Sequence, residues 1–344
     1  MSLILQDVPY EPSKVYEKPL IEITQSSLGC FQSCEQKFVL RYRMQLASRG
    51  ISIPLIVGTA VHKGLEILLM PINRSKDTLQ VLQESLKAVD SIFDKAEESD
   101  AALVGSMSEK LNKGRAQAHA CVMAWHFHYY DAIERDFHVV ETESTFRAKE
   151  GATTSSPLLD RMAGKLDAHV TDSGGMHALM EHKTKGSLTA FNWIDGLALD
   201  RQLMWYIYKA RSAWGLPIEM VYYNVIGKPA HRAGATWDAL KQKMVEAMYG
   251  DPEKYFTMPP ILIDERDLDR QYSNWIRVIE RMDNLSPANV TLNTSACSEW
   301  GGCPYKALCQ RRADVADPQA VLDMPETDLF CFKPVHEELE EEAA

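Results

Sequence analysis

Gly164-Lys165-Leu166-Asp167-Ala168-His169-Val170, then Asp172-Ser173-Gly174-Gly175, then Met176 through Glu181-His182-Lys183, is the stretch that decides the fold class. The alternation on either side of the Asp-Ser-Gly-Gly turn signal predicts a β-hairpin, with strands over 162–170 and 176–182. Asp167 lies on the first strand. Glu181 and Lys183 lie two apart on the second, so they share one face. The hairpin therefore gathers two carboxylates and a lysine. Carboxylate oxygens suit Mg²⁺ or Mn²⁺. Such a cation polarises a phosphate and activates water, while a neighbouring lysine orients that water and meets the developing charge. The alternative is a solvated surface hairpin with ordinary ion pairs, because an isolated Asp…Glu-x-Lys pattern also arises by chance.

Outward from the hairpin, helical periodicity covers 57–70, 78–95 and 108–133, and an opening helix spans 26–42. A strand over 138–148 precedes the hairpin. A helix over 194–214, a strand over 218–226 and helices over 237–249 and 264–282 follow it. This order predicts an α/β fold: a mixed sheet flanked by helices, with a helical insert over about 63–137. One folded domain is expected over 1–313, then an acidic, solvated and partly disordered end over 314–344.

The 344 residues are 45% apolar and 25% charged, which excludes disordered and collagen-like chains. No apolar run is long enough to span a bilayer, so no membrane role is expected. Residues 1–14 lack a secretory pattern, and the expected compartment is the reducing cytoplasm. Seven cysteines there read as metal ligands or buried thiols. The net charge is −11, but residues 314–344 hold ten acids and one lysine, which leaves only −2 for the other 313 residues. A near-neutral body can carry a local basic groove for phosphate. No G-x4-G-K-S/T motif occurs, so the chain is not itself a nucleotide-driven motor.

Five spaced elements together resemble the PD-(D/E)XK nuclease superfamily, in its RecB-like branch with iron–sulfur CRISPR-associated exonucleases. They are Ser26-Ser27-Leu28 through Cys34-Glu35-Gln36-Lys37-Phe38, Gly58-Thr59-Ala60-Val61-His62, Gly164-Lys165-Leu166-Asp167, Glu181-His182-Lys183, and Gln202-Leu203-Met204-Trp205-Tyr206. The resemblance implies a restriction-endonuclease-like fold and a metal-dependent DNA exonuclease of low sequence specificity. The expected role is in recombination, repair or end processing. A structure-selective or single-strand endonuclease and a non-catalytic DNA-binding subunit are the alternatives. By the same resemblance His62, Asp167, Glu181 and the His182 carbonyl would hold the metal, Lys183 would be the catalytic lysine, and Gln202 and Tyr206, on one helix face, would orient the site or hold the DNA backbone near it. DNA with single strands or free ends is the implied substrate. A helicase, recombinase or single-strand-binding protein is the implied partner, and an oligomer is allowed. A phage-encoded chain would act in the host cytoplasm.

Cys297, Cys303 and Cys309 recur every six residues around Gly301-Gly302 and Pro304. The resemblance nominates Cys34 as a fourth ligand of a [4Fe–4S] cluster that joins the N- and C-terminal parts. Cys30 is a further candidate for that position. Zinc takes the same four thiolates and stays open as the alternative. Cys121 and Cys331 read as buried or incidental thiols. Lys37, Arg41, Arg43, Lys185, Arg201, Lys209, Arg211, Lys228 and Arg232 are candidate phosphate contacts.

Overall fold

A computed structural model describes residues 15–333 apart from 18, 51, 100–105, 189–193, 195 and 231–235, together with 335 and 339. The elements in chain order are α1 (Gln25–Ser33), α2 (Glu35–Phe38), β1 (Leu46–Ser48), α3 (Ile53–Leu69), α4 (Thr78–Ser99), α5 (Ser106–Asp136), β2 (Phe137–Phe146), α6 (Leu158–Arg161), β3 (Gly164–Asp172) and β4 (His177–Lys185). They continue with α7 (Arg201–Trp214), β5 (Met220–Gly227), α8 (Trp237–Gly250), α9 (Pro252–Tyr255), β6 (Phe256–Thr257), β7 (Pro260–Leu262), α10 (Glu265–Asp283), α11 (Lys306–Gln310), α12 (Pro318–Leu322) and β8 (Phe330–Phe332). The chain separates into two compact units. One takes in 51–144 and 165–265. The other takes in residues up to 50, 145–164 and 266 onward.

The first unit holds a mixed sheet in the order β2-β3-β4-β5-β6, with β7 also on β5. β3 and β4 form the expected antiparallel hairpin, in register Ala168↔Met180. Asp172 Oδ1 accepts the N–H groups of Gly174 and Met176, both at 2.9 Å, and Gly175 takes φ 79°, which a side chain would disfavour. β5 pairs parallel to β4, with α7 in the connection between them. Ala168, Val170, Ala178 and Met180 belong to the same core as residues of α3, α4, α5 and α8. The helices expected as an insert thus share one core with the sheet. Gly64 lets them close: a Cβ there would lie 2.7 Å from Val122 Cγ2 and 3.0 Å from Val89 Cγ2.

α7 begins later than the expected helix over 194–214. Asp200 sets its start by accepting the N–H groups of Gln202 (2.8 Å) and Leu203 (3.1 Å). Gly215, at φ 66°, ends it as a left-handed cap.

In the second unit the opening helix divides in two. Thr24 and Ser27 form a reciprocal capping box for α1. Cys34 then adopts an extended backbone, φ −163° and ψ 117°, before α2 resumes and passes into a π turn at Val39–Arg43. Part of the acidic end is folded rather than solvated. α12 lies within it, and β8 pairs antiparallel with β1, Leu46↔Phe332 to Ser48↔Phe330. Val321 and Phe330 are buried, and Phe330 stacks on Tyr305 at 5.2 Å. The tail beyond 333 lies almost wholly outside the described residues.

Candidate active site

One glycine and a turn of helix bring His62 to the sheet. Gly58 and His62 are four residues apart on α3 and share a face. A Cβ at Gly58 would stand 3.3 Å from Thr184 Oγ1, so glycine lets α3 approach β4 closely. His62 Nδ1 then lies 3.2 Å from Asp167 Oδ1. The other Asp167 oxygen accepts the His182 backbone N–H at 2.6 Å.

Glu181 and Lys183 share a face of β4, and their Oε1 and Nζ atoms are 2.5 Å apart. Gln202 Nε2 donates to the same Glu181 oxygen (3.2 Å) and to Tyr206 Oη (2.9 Å). The i,i+4 pair on α7 thereby orients the Glu181–Lys183 couple. The His182 side chain takes another course. Trp125 Nε1 donates to Asn224 Oδ1 at 3.2 Å, which turns the amide NH₂ of Asn224 toward His182 Nδ1, 2.7 Å away. That makes Nδ1 the acceptor and places the imidazole proton on Nε2. Burial holds this imidazole neutral, its pKa pushed down to about 4.

One acid escaped the sequence reading. Glu143, on β2, joins His62 and Asp167 in a trio whose donor atoms all lie within 4.8 Å of one another. It takes φ 53°, a left-handed conformation uncommon outside glycine, and bonds Lys165 Nζ at 2.6 Å. The expected ligand Glu181 is instead bonded to Lys183 and Gln202, alongside this trio.

The electrostatics show why a cation suits the site. Burial first, then the charge of Asp167, push the carboxyls of Glu143 and Glu181 up to about 7. Burial opposes ionisation of Asp167 as well, but His62 overcomes it and holds Asp167 well below the usual carboxylate range. Burial likewise works against the Lys183 ammonium, yet Glu181 and Asp167 hold its pKa above the ordinary value. Lys183 is therefore a fixed positive charge here. An oxygen-rich set with one imidazole fits Mg²⁺ or Mn²⁺.

These shifts carry a sign that can be tested. A carboxyl whose pKa is raised on folding contributes stability below its ordinary value of 4.5, and loses it as pH rises through the folded value near 7. The protein in EDTA is expected to lose melting temperature over this window because of Glu143 and Glu181. Mg²⁺ or Mn²⁺ is expected to offset that loss, so the gap between metal-loaded and EDTA melts widens from about pH 5 to about pH 7. A gap that stays constant across the window would remove the cation from this cluster.

A sequence model of the PD-(D/E)XK nuclease superfamily matches residues 22–310, most of the chain. The chain belongs to this superfamily. Its restriction-endonuclease-like core is the mixed sheet with flanking helices described above, and its members are metal-dependent nucleases that act on DNA with Mg²⁺ or Mn²⁺. No curated protein sequence matches the chain.

Two cysteines of this PD-(D/E)XK chain, Cys303 and Cys309, gather two others around them. Cys303 and Cys309 each feel Cys34 and Cys297. Gly302, at φ 114°, turns the chain so that the Cys303 N–H donates to the Cys297 carbonyl at 3.1 Å. Gln36 Nε2 reaches both Cys309 Sγ (3.4 Å) and the Ala313 carbonyl (3.2 Å). Tyr305 Oη donates to the Leu46 carbonyl at 2.5 Å and anchors the segment. Cys30 stands beside Cys34 and Cys303, its thiol pushed up to about 12 mainly by burial; Cys309 is pushed up to about 11 for the same reason. Cys121 is fully buried in the core, and the Cys331 thiol donates to the Ala47 carbonyl.

Two of the bases expected at phosphate are structural. Arg43 is buried, donates to the Met282 carbonyl and lies over the Phe38 ring. Arg211 holds the Ile218 carbonyl at 2.6 Å and pairs with Glu265 at 2.6 Å, which braces the end of α7. Arg232 falls outside the described residues.

Proposed function

We propose that this PD-(D/E)XK protein is a DNA exonuclease of low sequence specificity that acts on free ends. The observation that carries the reading is the closed cluster of His62, Glu143 and Asp167 beside the Glu181–Lys183 pair. When bound there, Mg²⁺ or Mn²⁺ supplies a Lewis acid for a phosphate oxygen. His62, Glu143 and Asp167 would hold it; Glu181 and the His182 carbonyl, the other ligands the resemblance implies, would join them only if Glu181 turned an oxygen from its bonds with Lys183 and Gln202. Lys183 places a positive charge where the phosphate develops negative charge. Gln202 and Tyr206 keep Glu181 and Lys183 in register through the bonds described above. Glu143→Gln is expected to raise the half-saturating Mn²⁺ concentration by at least about tenfold, a shift checked by metal titration of the cleavage rate.

In this reading Cys34, Cys297, Cys303 and Cys309 would hold a [4Fe–4S] cluster, with Cys30 as the alternative to Cys34. Cys303 and Cys309 each face Cys34 and Cys297, and their thiols are raised mainly by burial and further by these neighbours, a cost that a bound cationic centre would offset. Bound zinc without iron, by metal analysis of anaerobically purified protein, would replace the cluster with a zinc site. The proposal extends to cytoplasmic action in recombination, repair or end processing, with a helicase, recombinase or single-strand-binding protein as partner. Among the described residues no helix is long and apolar enough to cross a membrane.

The test is digestion of end-labelled linear single strands beside closed circular ones, with Mg²⁺ or Mn²⁺. Progressive loss of the linear strand with intact circles is the expected result. Cleavage of the circles would assign an endonuclease instead.

A further inference from the structure

An open cavity of about 420 Å³ lies within the unit that carries the cysteines. Phe31 and Val278 give it an apolar wall, while Arg277, Arg281, Glu35 and Asn293 give it a polar one. Its two arginines differ in an informative way. Arg281 is committed: its Nε and Nη2 bond the two Glu35 oxygens at 2.6 and 3.0 Å, and Nη2 also donates to the Asn289 carbonyl at 3.2 Å. Arg281 and Glu35 therefore neutralise each other. Arg277, one turn earlier on α10, is exposed and has no hydrogen-bond or ion-pair partner among the described residues. The cavity thus presents one uncompensated guanidinium beside an apolar surface.

The rim is built before any ligand arrives. The 289–293 segment is fastened at four points. Arg281 holds the Asn289 carbonyl, the Thr291 N–H donates to Glu35 (2.8 Å), the Gln36 N–H donates to the Thr291 carbonyl (3.3 Å), and the Asn293 amide donates to the Ser33 carbonyl (2.9 Å). Phe31 is itself fixed, edge-on against Phe38 at 5.2 Å. Pre-formed walls spare a ligand the cost of ordering them.

A guanidinium next to an apolar wall matches a nucleotide, with the phosphate on the planar donors and the base and sugar on the hydrophobic side. The volume suits one such unit. We propose that this cavity takes one nucleotide of a DNA strand, with Arg277 donating to its phosphate. The proposal rests on the nuclease reading for the choice of a strand over a free mononucleotide, which offers the same chemistry.

The experiment measures binding of a fluorescent oligothymidylate to the full chain in EDTA, with Lys183→Ala as the background so that no cleavage intervenes. Arg277→Ala is expected to weaken binding by about five- to tenfold, Arg277→Glu by more, and Arg277→Lys by less. The slope of log affinity against log salt is expected to fall by about 0.7, one phosphate contact on a single strand. Because Arg277 is exposed and holds nothing else in place, unchanged melting temperatures should accompany these losses. Unchanged affinity and slope in both the alanine and glutamate variants would overturn the proposal. Thymidine monophosphate bound as tightly as the strand, with the same dependence on Arg277, would overturn the assignment to a strand. The two readings fail separately. Wild-type cleavage with binding indifferent to Arg277 removes only the cavity, whereas Arg277-dependent binding by a chain that cleaves no DNA removes only the nuclease.

Discussion

Lys183→Ala is expected to lower single-turnover DNA cleavage by roughly 10²–10³-fold and to leave DNA affinity within a few-fold of the native value. The side chain is three-quarters buried and bonds Glu181 at 2.5 Å. Its ammonium is held charged by Glu181 and Asp167, so it does not serve as a neutral base in the resting site. Its contribution is a positive charge fixed where the cleaved phosphate gains negative charge, and that interaction strengthens on the way to the transition state. The loss should accordingly appear in kcat rather than KM. Truncation also removes the charged partner of Glu181, a buried carboxylate already pushed up to about 7 by burial and by Asp167, and leaves it only the Gln202 amide among the bonds described. Glu181 then holds its proton to higher pH, and the pH–rate profile should move upward with it. Lys183→Arg is not expected to rescue, because the longer planar group cannot occupy the position of a compact ammonium. Cleavage by Lys183→Ala within tenfold of the native rate would take this residue out of the chemistry.

The parts of the site that were legible in the sequence are those set by local geometry. Asp167, Glu181 and Lys183 follow from a hairpin whose turn residues mark its position. The period of a helix puts Gln202 and Tyr206 on one face, but only the resemblance attaches that face to the site. His62 comes from the resemblance carried by Gly58-Thr59-Ala60-Val61-His62, and Gly58 does sit where a Cβ would crowd Thr184. Glu143 follows from none of these. It reaches the trio through pairing of an edge strand and an unusual backbone conformation, and in the sequence it is one polar residue of an alternating Glu-Thr-Glu run. The Trp125–Asn224–His182 chain was hidden for a similar reason, since it joins α5, β5 and β4 across 99 residues. Composition misled at the C-terminal end. The acids of 314–333 suggested a solvated segment, but a few buried apolar groups such as Val321 and Phe330 suffice to fold it once β1 offers an edge. Arg43 read as a phosphate contact because periodicity does not reveal that a helix tightens into a π turn and buries that position.

Arg161→Met is expected to destabilise the cysteine-bearing unit by about 3–5 kcal/mol, the usual cost of leaving a buried charge without its partner. Arg161 is 2% exposed. Its Nη1 and Nη2 grip both oxygens of Asp283 at 2.7 and 2.8 Å, at the end of α10. The same guanidinium donates to the carbonyls of Leu20 (2.8 Å), Thr154 (3.2 Å) and Ile21 (3.3 Å). Its own backbone carbonyl accepts the Ile23 N–H at 2.9 Å, beside the bridge from Ile23 to Met162. One side chain therefore ties the segment before α1, the loop before α6 and the C-terminal end of α10. Methionine keeps the apolar volume and removes every donor, so both Asp283 and three carbonyls lose partners. Asp283→Asn should cost less, about 1–3 kcal/mol, because an amide still accepts from one arm of the fork. The double variant Arg161→Met/Asp283→Leu separates the two parts of the loss. It should recover the share due to the stranded carboxylate and keep the share due to the three carbonyls, so its stability should fall between those of Arg161→Met and the native chain. Urea unfolding of the three variants measures each of these values. A cost below about 1 kcal/mol for Arg161→Met would mean that water or a neighbouring side chain replaces the guanidinium at Asp283, and that this cross-tie does not hold the unit together.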